Sequence, residues 1–131
     1  MTDKAAEVIE YRHSLQVYYE DTDLSGAVYH ANYLRYFERA REHLIGQPRL
    51  LELLDNGIAF VVYRCELTYR APAYLGDTLV IATSSRRVSD YRVSFDQDVY
   101  RNDEEQPIVR GVVEMVAVDR GGKPVPLPKF T

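Results

Sequence analysis

The segment that decides the fold connects a strand pattern to a helix pattern and reads YYEDTDLSGAVYHANY over residues 18–33. It places the carboxylates of Glu20, Asp21 and Asp23 directly before a helical stripe. The first backbone amides of a helix lack intrahelical acceptors and together carry about half a positive charge. We therefore expect a carboxylate beside free amide donors, an arrangement that suits attack on a carbonyl group.

Hydrophobic periodicity around this segment predicts a strand followed by helices. Apolar and polar residues alternate over residues 11–19, which is typical of a half-buried strand. Over residues 31–45 the apolar residues recur every three or four positions and predict one long helix, which Gly46 and Pro48 end. A short second helical piece is predicted over residues 49–54.

Four strand patterns follow, over residues 61–69, 79–88, 91–99 and 108–118. In the first we expect one buried and one exposed face, whereas the last is apolar on both faces and needs more cover than one helix supplies. We predict a single α+β domain, residues 1–131, with an antiparallel sheet of five to six strands wrapped around one long central helix. A homodimer or homotetramer would bury the remaining apolar area. The tail, from Gly121-Gly122 through Pro128, is predicted to be a loop and a loosely held terminus.

Composition excludes several classes of protein. A net charge of −4 and a pI near 5.4 argue against a nucleic-acid partner. No run approaches the roughly 20 apolar residues that span a bilayer, and the N-terminus lacks a signal-peptide core. We expect a soluble cytoplasmic protein without membrane insertion. The single cysteine, Cys65, excludes an intrachain disulfide.

The short acidic pattern leaves alternatives open at Asp23. This residue also fits a simple Asx turn, with Glu20 and Asp21 as surface charges. Asp21, Asp23 and His30 could converge on a metal, but the cluster lacks a second histidine or a cysteine, so we expect no metal and no cofactor. The backbone amide of His30 matters more to this interpretation than its ring, which could cap the helix or pack as a polar core residue.

Residues 16–33 nevertheless resemble a known active-site signature. The fixed positions are Gln16, Val17, Thr22, Asp23, Gly26, Val28, His30 and Tyr33. This pattern is similar to that of hot-dog-fold acyl-CoA thioesterases of the 4-hydroxybenzoyl-CoA thioesterase type. The longer run over residues 18–41 most closely resembles the bacterial branch associated with the Tol-Pal system. The resemblance extends over most of the chain, because residues 69–73 and Gly76-Asp77 also fit the family's order.

The resemblance implies a hot-dog fold in which two chains form one continuous sheet and the acyl thioester enters at the dimer interface. It implies that Asp23 is the catalytic carboxylate and that the His30 amide polarises the thioester carbonyl. Tyr19, four residues before Asp23, is a third catalytic candidate in some relatives. It also implies that Gly26 of the signature lies at the substrate.

Arg86 and Arg87 are the predicted contacts for the phosphates of CoA. They match in position a basic stretch that contacts the nucleotide in some relatives, although a solvated strand end would look the same. The predicted reaction is hydrolysis of an acyl-CoA to a free acid and CoA, with Asp23 as nucleophile or as general base. The alternatives are a non-catalytic acyl-CoA-binding or assembly protein, and a hot-dog hydratase or dehydratase. The sequence leaves the acyl group open.

Overall fold

The computed structural model describes residues 8–129 of the chain. The expectation that the N-terminus carries no signal peptide rests mainly on residues 1–7, which lie outside this range. In chain order the elements are β1 Val8–Gln16, a 3-10 turn Tyr19–Asp21, α1 Asn32–Ile45, α2 Gln47–Asp55, β2 Ala59–Tyr69, β3 Thr78–Arg87, β4 Arg92–Arg101, β5 Val109–Val118 and β6 Pro124–Val125. No helix among the described residues is long and apolar enough to cross a membrane.

One antiparallel sheet of six strands forms the body of the domain, as the strand patterns predicted. The strand order is β1-β3-β4-β5-β2, and the short β6 pairs with the end of β5. The pairing of β4 with β5 ends at Arg92 and Val116, so β6 takes the place of β4 beside Ala117 and Val118. β1 and β2 are therefore the two edges of the sheet.

α1 packs its apolar face onto the sheet and builds the core. Its buried apolar side chains follow the helical period: Tyr33, Tyr36, Phe37, Ala40, Leu44 and Ile45. Phe37 lies so close to β5 that a Cβ at Gly111 would overlap its ring. Burying one large apolar side chain contributes about 1.5–3 kcal/mol, so this stripe holds α1, and with it the loop before α1, against the sheet.

The helical layer differs in one respect from the prediction. The helix over residues 31–45 is confirmed as α1, and the second helical piece is confirmed as α2, which begins two residues earlier than predicted. Only Gly46, with a φ of 96°, separates the two. The layer thus consists of two consecutive helices rather than one long helix alone.

Two strand predictions need correction. β1 ends at Gln16 rather than at residue 19, because the chain leaves the strand and enters the 3-10 turn that contains Glu20 and Asp21. The tail was expected to be loose, but it forms β6 and is held by Leu127, which is buried and donates its N–H to the Asp90 carbonyl at 2.8 Å. A short strand of two residues gives too little alternation for recognition from sequence.

β2 lacks the buried face that its alternating sequence predicted. Val61, Val62 and Tyr63 are 42%, 49% and 60% exposed, and the residues from 61 to 66 are all exposed. The reason is position, because β2 is an edge strand that pairs only with β5. A register shift between Val62 and Arg64 further disturbs the strand. This strand leaves an apolar edge open on the single chain.

Candidate active site

A tight hairpin turn presents Asp23. Thr22 and Val28 form a β-bridge, the Asp23 N–H donates to the Ala27 carbonyl at 2.8 Å, and the Gly26 N–H donates to the Asp23 carbonyl at 3.1 Å. Gly26 has a φ of 86°, a left-handed conformation that costs residues with a Cβ about 1–2 kcal/mol. The first task of Gly26 is therefore to close this turn.

The Asp23 carboxylate is exposed and held on one side only. Its Oδ1 accepts hydrogen bonds from the Ser25 hydroxyl at 2.6 Å and from the Ser25 N–H at 2.8 Å. These two bonds, with smaller contributions from the Ala27 amide and the nearby His30 ring, hold the pKa of Asp23 below its ordinary value of 3.8. Among residues 8–129, Oδ2 accepts no hydrogen bond. The Asx turn is thus real, and it leaves one carboxylate oxygen available for chemistry.

Asp21 occupies the inner side of the same loop. It is buried, its Oδ2 accepts the Tyr18 N–H and its Oδ1 accepts the side-chain amide of Asn32, each at 2.9 Å. Its carbonyl also accepts the Tyr29 N–H at 2.9 Å. The alternative in which Asp21 is a surface charge does not hold, because the carboxylate is buried and ties the loop to the first residue of α1.

The different hydrogen-bond partners of Asp21 and Asp23 also matter for the alternative that these residues bind a metal. Asp21 is committed to Tyr18 and Asn32 inside the protein, whereas Asp23 is bound to Ser25 at the surface. Within residues 8–129, no group of three or more His, Cys, Asp or Glu side chains is arranged to hold a metal ion.

The start of α1 supplies backbone donors next to the turn. The N–H groups of His30 and Ala31 donate to no group in the described part of the chain. Ala31, at the N-cap position, has no side chain that could cap the helix. The Asn32 N–H, in contrast, donates to the Tyr29 carbonyl at 2.8 Å. The His30 and Ala31 N–H groups therefore lie at the positive end of the helix dipole without an acceptor among residues 8–129.

An open cleft of about 280 Å³ lies beside these donors. Its lining includes His30, Tyr33, Tyr69, Arg70 and Pro72. The hydroxyl of Tyr69 donates to the His30 carbonyl at 2.8 Å. Burial raises the pKa of Tyr33 to about 12, so its phenol is neutral at physiological pH. The cleft thus combines aromatic walls with the free amides and can receive a polarised carbonyl group.

The other predicted site residues lie apart from Asp23. Tyr19 is 82% exposed, and its side chain makes no hydrogen bond or ring contact within residues 8–129. Arg86 and Arg87 end β3, whereas the start of β3 lies near the active-site loop, since the Val17 N–H donates to the Asp77 carbonyl at 2.9 Å. Ten strand residues span about 30 Å. Within one chain the structure brings Asp23, Gly26 and His30 together, but not the two arginines or the Tyr19 side chain.

Arg87 has a structural task in this chain. Its guanidinium donates to the carbonyls of Leu127 and Pro128, both at 3.0 Å, and so fastens the C-terminal segment. Arg86 is exposed. The sequence reasoning missed this use of Arg87 because its acceptors lie 40 residues away.

Three contributors to the site were missed from the sequence. Ser25, which holds Asp23, carried a usable signal, because a serine two residues after an aspartate commonly closes an Asx turn. Asp21 and Tyr69 carried none, since their roles depend on partners 11 and 39 residues away. Asp21 could not be separated from Asp23 by pattern alone.

Comparisons with known proteins identify the family of the chain. The family model described as the thioesterase-like superfamily matches residues 17–131. The chain is 39% identical over 121 residues to the acyl-CoA thioesterase YbgC of Haemophilus influenzae, which covers 88% of this chain and 86% of that relative.

Two solved structures of similar proteins superpose on this chain over most of its length. A probable thioesterase from Bartonella henselae superposes with a TM-score of 0.82 at 31% identity, over 91% of this chain and 99% of that one. A 1,4-dihydroxy-2-naphthoyl-CoA thioesterase from Synechocystis superposes with a TM-score of 0.85 at 25% identity, over 92% and 91% of the two chains.

Proposed function

The chain belongs to the thioesterase-like superfamily, has the hot-dog fold and is a thioesterase, and from this premise we propose that it hydrolyses acyl-CoA thioesters at Asp23. The observation that carries the proposal is the pairing of a carboxylate that has one free oxygen with two free amides at the start of α1. An oxygen nucleophile and donors for the developing oxyanion are the two components that acyl transfer needs.

In the proposed reaction the thioester oxygen accepts a hydrogen bond from the His30 N–H. Oδ2 of Asp23 attacks the carbonyl carbon, the C–S bond breaks, and CoA leaves as the thiolate. Water then hydrolyses the acyl anhydride, which releases the acid and restores the Asp23 carboxylate. In the alternative pathway Asp23 removes a proton from water, and the resulting hydroxide attacks the same carbon.

The electrostatics of Asp23 disfavour the general-base role. A general base works best when its pKa lies near the working pH, and hydrogen bonding to Ser25 moves the pKa of Asp23 in the opposite direction. A low pKa instead keeps the carboxylate ionised and ready as a nucleophile. Entry of ¹⁸O into the side chain of Asp23 during a single turnover in H₂¹⁸O would identify the anhydride pathway, because label reaches this carboxylate only when water attacks the Asp23 carbonyl of the anhydride.

The proposal includes a homodimer, with a homotetramer as the alternative. Support comes from the edge strand β2, whose Val61, Val62 and Tyr63 are left exposed. A second copy of β2 would extend the sheet and cover this apolar edge. The end of β2 carries Tyr69 beside His30, so the proposed interface would border the cleft. Arg86 and Arg87 lie far from Asp23 of their own chain, so we assign them to the CoA phosphates of a substrate bound by a neighbouring chain.

The remaining assignments rest on the motif over residues 16–33. They are a role for Tyr19 in catalysis, contact of Gly26 with the substrate, and membership of the 4-hydroxybenzoyl-CoA thioesterase type. Membership of the Tol-Pal-associated branch rests on the longer run over residues 18–41. The proposed cytoplasmic location is independent of this motif. The acyl group stays open among short aliphatic, long aliphatic and aromatic classes. The Haemophilus relative is named for acyl-CoA in general, whereas the Synechocystis enzyme is named for an aromatic acyl group.

Release of free thiol from a panel of acyl-CoAs tests the proposal. The panel contains a short aliphatic, a long aliphatic and an aromatic thioester. We expect the wild type to release CoA from at least one class, and the ratio of kcat/KM among the three to identify the acyl group. A protein that binds these thioesters but releases no thiol would instead be a non-catalytic acyl-CoA-binding protein.

A further inference from the structure

We propose that Tyr69 is a positioning residue for thioester hydrolysis, because its hydroxyl holds the peptide unit that carries the Ala31 N–H at the start of α1. The inference rests on the proposed function at Asp23 and His30. It concerns a residue that the active-site motif does not contain, since Tyr69 lies 39 positions after His30.

The Tyr69 side chain is fixed at both ends. Its hydroxyl donates to the His30 carbonyl at 2.8 Å. Its ring packs edge-on against Tyr33, with ring centroids 5.8 Å apart, and against the His30 ring at 6.3 Å. Tyr69 is also the last residue of β2, so the backbone pairing of that strand with β5 anchors the side chain.

The hydrogen bond acts on an amide donor through the peptide plane. The His30 carbonyl and the Ala31 N–H belong to one planar unit, so fixing the oxygen also fixes the direction of the N–H. A hydrogen bond to a carbonyl polarises the unit and strengthens its N–H as a donor. The Ala31 N–H has no acceptor within residues 8–129 and is therefore available to the substrate.

The neighbouring peptide unit is arranged in the same way by a different partner. The Tyr29 carbonyl accepts the Asn32 N–H at 2.8 Å, and the His30 N–H of that unit is free in the described part of the chain. Both free donors thus belong to units whose carbonyl is occupied. The Tyr29 carbonyl accepts a backbone N–H of α1, whereas the His30 carbonyl accepts the Tyr69 hydroxyl from β2. Only the second hydrogen bond can be removed by a side-chain substitution.

Tyr69 acts as a donor and not as an acid or a base. Burial raises the pKa of its phenol above the ordinary value of 10.0, so the hydroxyl keeps its proton throughout the working pH range. Replacement by phenylalanine keeps the ring contacts with Tyr33 and His30 and removes only the hydrogen bond.

The first test compares Tyr69→Phe with the wild type in steady-state thiol release. Loss of one hydrogen bond that supports the oxyanion donors should lower kcat about 3- to 10-fold. Tyr91→Phe is the matched control, because Tyr91 is exposed and its hydroxyl makes no hydrogen bond within residues 8–129. It should retain the wild-type kcat, and both variants should retain the wild-type Tm.

The second test separates positioning from a general loss of structure. One ligand is a CoA ketone in which a methylene group replaces the thioester sulfur, and the other is the same analogue without the carbonyl oxygen. Tyr69→Phe should weaken binding of the ketone by a similar factor and leave binding of the oxygen-free analogue unchanged. Equal weakening of both analogues, or a kcat equal to that of the wild type, would overturn the inference.

Failure of the inference and failure of the proposed function give different results. A wild type that releases no thiol and does not prefer the ketone overturns both. An active wild type whose kcat is unchanged in Tyr69→Phe overturns only the role of Tyr69.

Discussion

Asp21 and Asp23 lie two residues apart in one loop and differ in almost every physical respect. Asp21 is 7% exposed and both its oxygens accept hydrogen bonds from the protein, from Tyr18 and Asn32. Asp23 is exposed and its bonds to Ser25 occupy one oxygen. The comparison indicates that one carboxylate builds the site and the other is left free to react.

Substitution of Asp21, the buried carboxylate, should have the largest effect on the free energy of unfolding. In Asp21→Asn the side chain keeps one acceptor oxygen, and its new NH₂ group faces either the Tyr18 N–H or the Asn32 amide. Leaving a buried donor unpaired costs about 1–3 kcal/mol of unfolding free energy. Urea denaturation measures this loss. Glu20→Gln, one residue away and exposed, is the control, and equal stability of the two variants would show that Asp21 has no structural role.

A second stability effect arises away from the loop and should depend on pH. The ring of His13 on β1 stacks on His43 of α1, with centroids 4.3 Å apart and Tyr11 and Arg39 close by. Burial, His43 and Arg39 lower the pKa of His13 below its ordinary value of 6.5. The unfolded chain therefore binds the proton more readily, so stability is full above pH 6.5 and falls as the pH drops below it.

Thermal unfolding across this range tests the His13 prediction. The drop in Tm between about pH 7.5 and about pH 5.5 should be smaller in His13→Phe than in the wild type, because the titrating group is gone. His30→Gln should retain the wild-type drop, since this change leaves the His13–His43 pair intact. If Tm falls by the same amount in the wild type and in His13→Phe, the stacked histidines do not govern stability at acid pH.

Substitution of Ser25 should change the pKa of Asp23 with little change in the free energy of unfolding. Its hydroxyl is the largest cause of the lowered pKa of Asp23, so in Ser25→Ala this pKa moves back toward 3.8. Activity requires the ionised carboxylate, and the acid limb of kcat/KM should therefore move to higher pH. Ser25→Thr keeps a hydroxyl and should restore the wild-type profile. An acid limb that is identical in all three proteins would contradict the assigned role of Ser25.

The comparison also shows what the sequence could and could not predict. α1 and the five long strands follow from periodicity, a local property of consecutive residues. The turn that presents Asp23 follows from the spacing of Asp23, Gly26 and the helix start. The burial of Asp21 does not, because it depends on the Asn32 side chain after the chain has reversed direction.

Long-range partners explain the remaining differences. β2 has the alternation of a half-buried strand, yet its place at the sheet edge is decided by the pairing of other strands. The bonds of Arg87 to the carbonyls of Leu127 and Pro128 could not be predicted, because only the folded chain brings these groups together. Tyr69 reaches His30 across the cleft, where no sequence spacing predicts contact.

The most direct measurement is thiol release from acyl-CoAs by Asp23→Asn. The amide removes the charge but can still accept the Ser25 hydrogen bonds, so the variant should fold as the wild type does. Loss of a nucleophile or base should lower kcat by at least about 100-fold. Substantial activity in a folded Asp23→Asn protein would contradict the claim that this carboxylate performs the chemistry.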